Sequence, residues 1–172
     1  QVEGLDEIVV TATRQSDRLN RVPLAVTAET QRSLDQRGIQ TIADLQAAVP
    51  SLRLTGFREG SGVATVAIRS VSQAAGTSAT TGFYLDETSM QKRSSAGFGS
   101  LNGTPIAPLL DLERVEVLRG PQGTLFGGGS EGGTIRYLQP QPGLTDYTAY
   151  GRAQLVTTRG GDPGFEAGIA IV

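Results

Sequence analysis

The spacing of apolar residues changes at Pro50. Before it, Ile42, Leu45 and Val49 fall on one face of a helix that Thr41 caps and Pro50 ends. Upstream, Thr27 followed three residues later by Thr30, with helix-forming residues beyond, predicts a helix over Ala28 to Arg37 that Gly38 stops. After Pro50 the period becomes two. Leu52/Leu54, Val63 to Ile68, Phe83 to Leu85, Arg114 to Leu118 and Thr134 to Leu138 predict strands. Three intervening stretches, Gly56 to Gly62, Val71 to Gly82 and Thr88 to Gly103, read as long loops, which usually carry function or stay disordered. Residues 1–22 are polar around Ile8-Val9-Val10-Thr11, the pattern of a flexible arm with one extended segment.

The C-terminal stretch predicts a hairpin, Tyr147 to Thr157 and Phe165 to Val172, around Arg159-Gly160-Gly161-Asp162-Pro163-Gly164. Phe165, Ala167, Ile169 and Ile171 share one face of its second strand. A lone hairpin is marginal in water, so these strands expect neighbours beyond this sequence. The longest apolar run, Ile169 to Val172, excludes a transmembrane helix, which needs about 20 apolar residues. A transmembrane strand needs only alternation over about ten and stays open.

Composition narrows the chemistry. With no Cys and no His in 172 residues, thiolate sites, disulfides and the usual general base are absent. A net charge of −2 calls for no polyanionic partner, so nucleic acid is not expected. Half of the fourteen residues from Gly120 to Gly133 are glycine. They include a literal G-x-G-x-x-G at Gly127, Gly129 and Gly132, but strand-like Thr134-Ile135-Arg136-Tyr137 follows where a dinucleotide-binding turn requires a helix. Asp86 and Glu87 are adjacent, so in a strand they would point to opposite faces, and they read better as turn residues than as cation ligands. No metal or cofactor is expected, nor is the chain expected to be an enzyme. An Arg buried within this pattern must find a carboxylate, because an unpaired buried charge is costly.

Several segments resemble one family. Asp6-Glu7-Ile8-Val9-Val10-Thr11-Ala12 is similar to the TonB box that precedes the plug of TonB-dependent outer-membrane receptors. Ala67-Ile68-Arg69, Phe83-Tyr84-Leu85-Asp86 and Glu113-Arg114-Val115-Glu116-Val117-Leu118-Arg119-Gly120-Pro121-Gln122-Gly123-Thr124-Leu125-Phe126-Gly127, continuing to Gly132-Gly133-Thr134-Ile135, resemble successive plug motifs in their usual order. The resemblance covers residues 6–138. Ser70 stands where the family usually has Gly, Glu87 where Asp is usually followed by Gly, and Gly128-Gly129-Ser130-Glu131 replaces a stretch that more commonly contains Asn.

The fold this implies is α+β: a small mixed sheet with short helices and long apical loops, followed by the first two antiparallel strands of a transmembrane β-barrel. The expected division is an arm with the TonB box at 1–20, a plug at 21–142 and the start of an incomplete barrel at 143–172, since the family closes its barrel with about 22 strands. The implied function is the plug of a transporter in the Gram-negative outer membrane, admitting a scarce ligand such as a ferric siderophore when TonB pulls the arm, which sits in the periplasm. Its implied partners are TonB through Asp6 to Ala12, the rest of its own barrel, outer-membrane lipid and the small ligand. By loop order, Phe57, Arg58, Gln73, Met90, Gln91, Lys92, Arg93 and Phe98 are expected to meet the ligand. Arg69, Glu113, Glu116 and Arg119 are expected to latch the plug to the barrel wall, the two arginines through barrel carboxylates. A soluble β-rich module binding carbohydrate or peptide, and a nucleotide-dependent enzyme built on the glycine loop, remain alternatives.

Overall fold

The strand-forming run after Glu113 becomes an inner strand of a five-stranded sheet. The computed structural model describes residues 8–12, 14–15, 17–55, 63–74, 77–90, 104–105, 108–143, 145, 147–157 and 159–171. In chain order the strands are β1 (Val9–Val10), β2 (Asp17–Arg18), β3 (Ala25–Thr30), β4 (Leu52–Thr55), β5 (Val63–Ile68), β6 (Val71–Ser72), β7 (Thr81–Leu85), β8 (Thr88–Ser89), β9 (Thr104–Pro105), β10 (Arg114–Arg119), β11 (Gly133–Leu138), β12 (Ala149–Val156) and β13 (Gly164–Ile171). The helices are α1 (Gln31–Gln36), α2 (Ile42–Ala48) and α3 (Gly123–Phe126). The main sheet runs β3-β10-β11-β7-β8, antiparallel except between β11 and β7. A smaller sheet, β4-β5-β6 with β9 on β5, lies beside it.

Alternation along β10 and β11 gives the main sheet two different faces. Val115, Val117, Ile135, Tyr137 and Phe83 point to one side, into a cluster with Leu34, Ile42, Leu45, Leu52, Val66 and Ile68 from α1, α2, β4 and β5. Burying each such side chain stabilises the fold by about 1.5–3 kcal/mol. Glu116, Arg114, Arg136 and Leu118 point to the other side, where the N-terminal arm lies.

Helix α2 forms as the sequence predicts. The Thr41 side chain accepts from the Asp44 amide, and the Asp44 carboxylate accepts from the Thr41 amide, a reciprocal cap. The helix expected over Ala28 to Arg37 is corrected: Ala25–Thr30 is strand β3, and α1 starts at Gln31 with Thr30, not Thr27, as its cap. A six-residue antiparallel ladder on β10, from Arg114↔Thr30 to Arg119↔Ala25, outweighs the modest helix propensity of those residues. Gly38 ends the turn at φ +65°, as expected.

The glycine segment folds as a short turn of helix between two strands, and β11 follows it, so the nucleotide-binding arrangement is absent there. One glycine is required outright. A Cβ on Gly133, at φ +154°, would lie 2.3 Å from the Leu118 carbonyl oxygen, so only glycine lets β11 begin so close to β10. The loop expected from Val71 to Gly82 contains β6 and the start of β7, and the one from Thr88 contains β8.

The expected hairpin is present. Strands β12 and β13 pair antiparallel from Ala149↔Ile171 to Val156↔Gly164.

Candidate functional site

Thr11 is the centre of a set of charged groups on the arm-facing side of the main sheet. Glu116 and Arg136 are direct cross-strand partners in β10 and β11, and both are completely buried. Arg136 Nη1 lies 2.9 Å from Glu116 Oε2, and Arg114 Nε, two residues along β10, lies 2.8 Å from Glu116 Oε1. Arg114 also pairs with Glu113.

The arm closes over this cluster. The Thr11 amide donates to Glu116 Oε1 at 2.8 Å. Arg136 Nη1 donates to the Thr11 carbonyl at 2.8 Å and to its hydroxyl at 2.7 Å, and Arg114 Nη2 reaches the same hydroxyl at 3.3 Å. The sheet thus reads the whole peptide unit of one arm residue. Around these ions Val10, Ala12, Tyr84, Leu118 and Phe126 form an apolar rim, with Val10 and Ala12 fully buried. Val9 and Val10 pair with Arg18 and Asp17, folding the arm on itself.

A second ring of contacts lies nearer the surface. Arg136 Nη2 reaches Glu87 Oε1 at 2.7 Å, and the other Glu87 oxygen faces Arg14 Nη1 at 3.3 Å. Arg14 Nε donates to the Leu125 carbonyl. Both guanidiniums sit over the Phe126 ring, at 5.3 Å for Arg14 and 5.5 Å for Arg136, and Tyr84 meets that ring edge-on while its hydroxyl donates to the Phe126 carbonyl.

The flexible, exposed arm of the sequence reading is therefore corrected for its described part: Ile8 to Ala12 is a docked segment held through the Thr11 peptide groups and the apolar contacts of Val10 and Ala12. Asp6 and Glu7 lie outside the described residues. Glu116 is corrected too, because it is fully buried and both of its oxygens are held within the chain, so it has nothing left to offer a barrel wall. The Glu113 carboxylate is half exposed and meets Arg114. Arg69 is exposed in the two-residue turn between β5 and β6, and its guanidinium lies against Gly120, the residue after Arg119. Arg119 donates to the Ala25 carbonyl, and neither arginine has an ion pair among the described residues.

Of the expected ligand contacts, Gln73 braces its own loop through the Thr77 carbonyl. Met90 is half-buried against the main apolar cluster, with its amide donating to the Phe83 carbonyl. Phe57, Arg58, Gln91, Lys92, Arg93 and Phe98 lie outside the described residues. Sequence reasoning missed Arg136, Glu87 and Arg14. A single Arg in the otherwise apolar Thr134 to Leu138 strand was a signal that a carboxylate must lie nearby.

The hairpin β12–β13 shows an inverted pattern. Tyr150, Arg152 and Gln154 face the rest of the chain: the Tyr150 hydroxyl meets Asp35 and Gln31, and Arg152 Nη1 donates to the Leu109 carbonyl. Gly168 sits so close to Leu110 that an added Cβ would lie 2.7 Å from its side chain. The opposite face is apolar and open, with Leu155 at 74%, Phe165 at 86%, Ile169 at 74% and Ile171 at 70% exposure.

Residues 18–134 match the family model described as TonB-dependent Receptor Plug Domain. The pesticin receptor of Yersinia pestis is 33% identical over 80% of this chain and 19% of its own length. The iron-regulated outer membrane virulence protein of Vibrio cholerae is 27% identical over 77% of this chain and 20% of its own. The chain spans about a fifth of the length of these relatives. Among solved structures, the ferric yersiniabactin uptake receptor FyuA from Yersinia pestis superposes with a TM-score of 0.57 at 27% identity, over 76% of this chain and 19% of that one. FpvA of Pseudomonas aeruginosa shares the fold, with a TM-score of 0.61 at 23% identity over 84% of this chain and 18% of its own. A plug-type sheet in the expected motif order, matched over most of its length, places this chain in the TonB-dependent receptor plug family.

Proposed function

We propose that the chain is the plug and first barrel strands of an outer-membrane transporter that imports a scarce ligand, with a ferric siderophore as its class, when TonB pulls the N-terminal arm. The observation that carries this reading is the docking of Ile8 to Ala12 on the sheet through one residue's peptide groups. A partner that adds a strand to the arm needs main-chain donors and acceptors. At Thr11 those groups are held by Glu116 and Arg136, so the partner must wait for the arm to leave or must compete for it.

The hairpin supports a barrel in lipid. A barrel wall around a plug needs polar residues inward and apolar residues outward, the reverse of a soluble sheet, and β12–β13 has that arrangement. It also disfavours the soluble binding module, which would leave Phe165, Ile169 and Ile171 in water. Arg69 and Arg119 remain the proposed latch to barrel carboxylates, supported by their lack of ion pairs among the described residues. The iron-uptake names of the relatives above support the ligand class.

The test is Val9→Pro, which removes one donor and fixes φ in the arm. In the intact receptor we expect TonB-dependent uptake to be abolished and ligand binding to be retained. Unchanged uptake overturns the reading.

A further inference from the structure

We infer that Glu87 is a positioning residue that clasps the TonB-binding arm shut, and that the clasp opens from its exposed end. The inference rests on the proposed function above but concerns how the arm is held.

Glu87 joins the two layers of the site. One oxygen takes Arg136, which in turn holds the Thr11 carbonyl and hydroxyl. The other takes Arg14, which belongs to the arm itself. The carboxylate therefore ties the arm to the sheet twice, once directly and once through Arg136. It also stands on the turn between β7 and β8, next to the strand pair Leu85↔Thr88. A shift of that turn would be felt at Thr11 through a single intervening side chain.

The two layers differ in environment. Glu116 and Arg136 are fully buried, while the side chains of Glu87 and Arg14 are 60% and 45% exposed. Exposed pairs are weakened by salt, and buried ones much less. The Arg14–Glu87 contact is thus the weakest link and the first to open. Once it opens, Arg136 keeps its Glu116 partner, so the sheet stays intact while the outer hold on the arm is reduced to the contacts of Arg14 with Leu125 and Phe126.

The experiment follows amide hydrogen exchange at Val10 and Thr11 in the intact receptor without ligand, for the natural sequence, Glu87→Gln and Arg14→Gln, at low and high salt. We expect about tenfold faster exchange at these two amides in Glu87→Gln, a smaller increase in Arg14→Gln, and unchanged protection of Val115, Val117 and Ile135 in the sheet. Salt should speed arm exchange in the natural sequence and have little effect in Glu87→Gln. Equal arm protection in all three proteins, or equal loosening of the arm and the sheet strands, overturns the inference. Capture of the receptor by the periplasmic part of TonB, measured alongside, separates the two readings: a looser arm with no capture leaves the clasp standing and removes the TonB assignment.

Discussion

The two faces of the main sheet are covered by different chemistry although the same strands build both. On one face Val115, Val117, Ile135 and Phe83 meet helices and the smaller sheet through apolar contact. On the other, Arg114, Glu116 and Arg136 meet a short piece of arm through charge-assisted hydrogen bonds inside an apolar rim. Apolar burial is non-directional and grows with area, so the first face is suited to permanence. A buried ionic cluster contributes little net stability over an apolar alternative, yet it fails sharply when one partner leaves. The second face is suited to a segment docked in one register that can come away as a unit.

Removing one partner on the ionic face gives the largest expected effect. Glu116→Ala leaves Arg114 and Arg136 buried without their shared carboxylate and is expected to cost about 3–5 kcal/mol, with the arm released. Ile135→Ala on the apolar face is expected to cost about 2–5 kcal/mol and to lower the urea midpoint of the plug without freeing the arm ahead of the sheet. If both substitutions expose the arm and the sheet together, the distinction between the faces disappears.

A smaller effect concerns Tyr137, whose hydroxyl is buried on the apolar side without a hydrogen-bond partner among the described residues. Burial pushes its phenol well above the ordinary value of 10.0. The unfolded chain therefore ionises first, so this contribution to stability is complete below about pH 10 and is lost as pH rises from there toward the folded value, at up to about 1.4 kcal/mol per pH unit. Tyr137→Phe should flatten that alkaline slope and be close to neutral at pH 8, measured by urea unfolding across pH 8 to 11. A slope unchanged by the substitution places the alkaline sensitivity elsewhere.

What was legible in the sequence was mostly local. The Thr41 cap, Pro50 and the alternation of β10 and β11 act over a few residues and are visible as such. Ser70 was marked by its departure from Gly, and it indeed sits at φ +65° in the turn that follows Ile68. Strand β3 was hidden because Ala25 to Thr30 has no decisive propensity of its own and takes its form from β10, more than 80 residues away. The docked arm was hidden for the same reason: Thr11 bonds to residues 105 and 125 positions distant. Glu87 was read as a turn residue, which it is, but its second role depends on Arg136 being brought beneath it by the parallel β7–β11 pairing.

The central claim is that the arm rests folded on the sheet. Ala12 is fully buried and the sequence has no cysteine, so Ala12→Cys adds no rival thiol within these residues. In the intact, ligand-free receptor that thiol should react far more slowly with a water-soluble maleimide than a cysteine in a free peptide, and adding Glu116→Ala should bring it close to the free rate. Labelling at the free-peptide rate in the otherwise natural receptor would contradict the account.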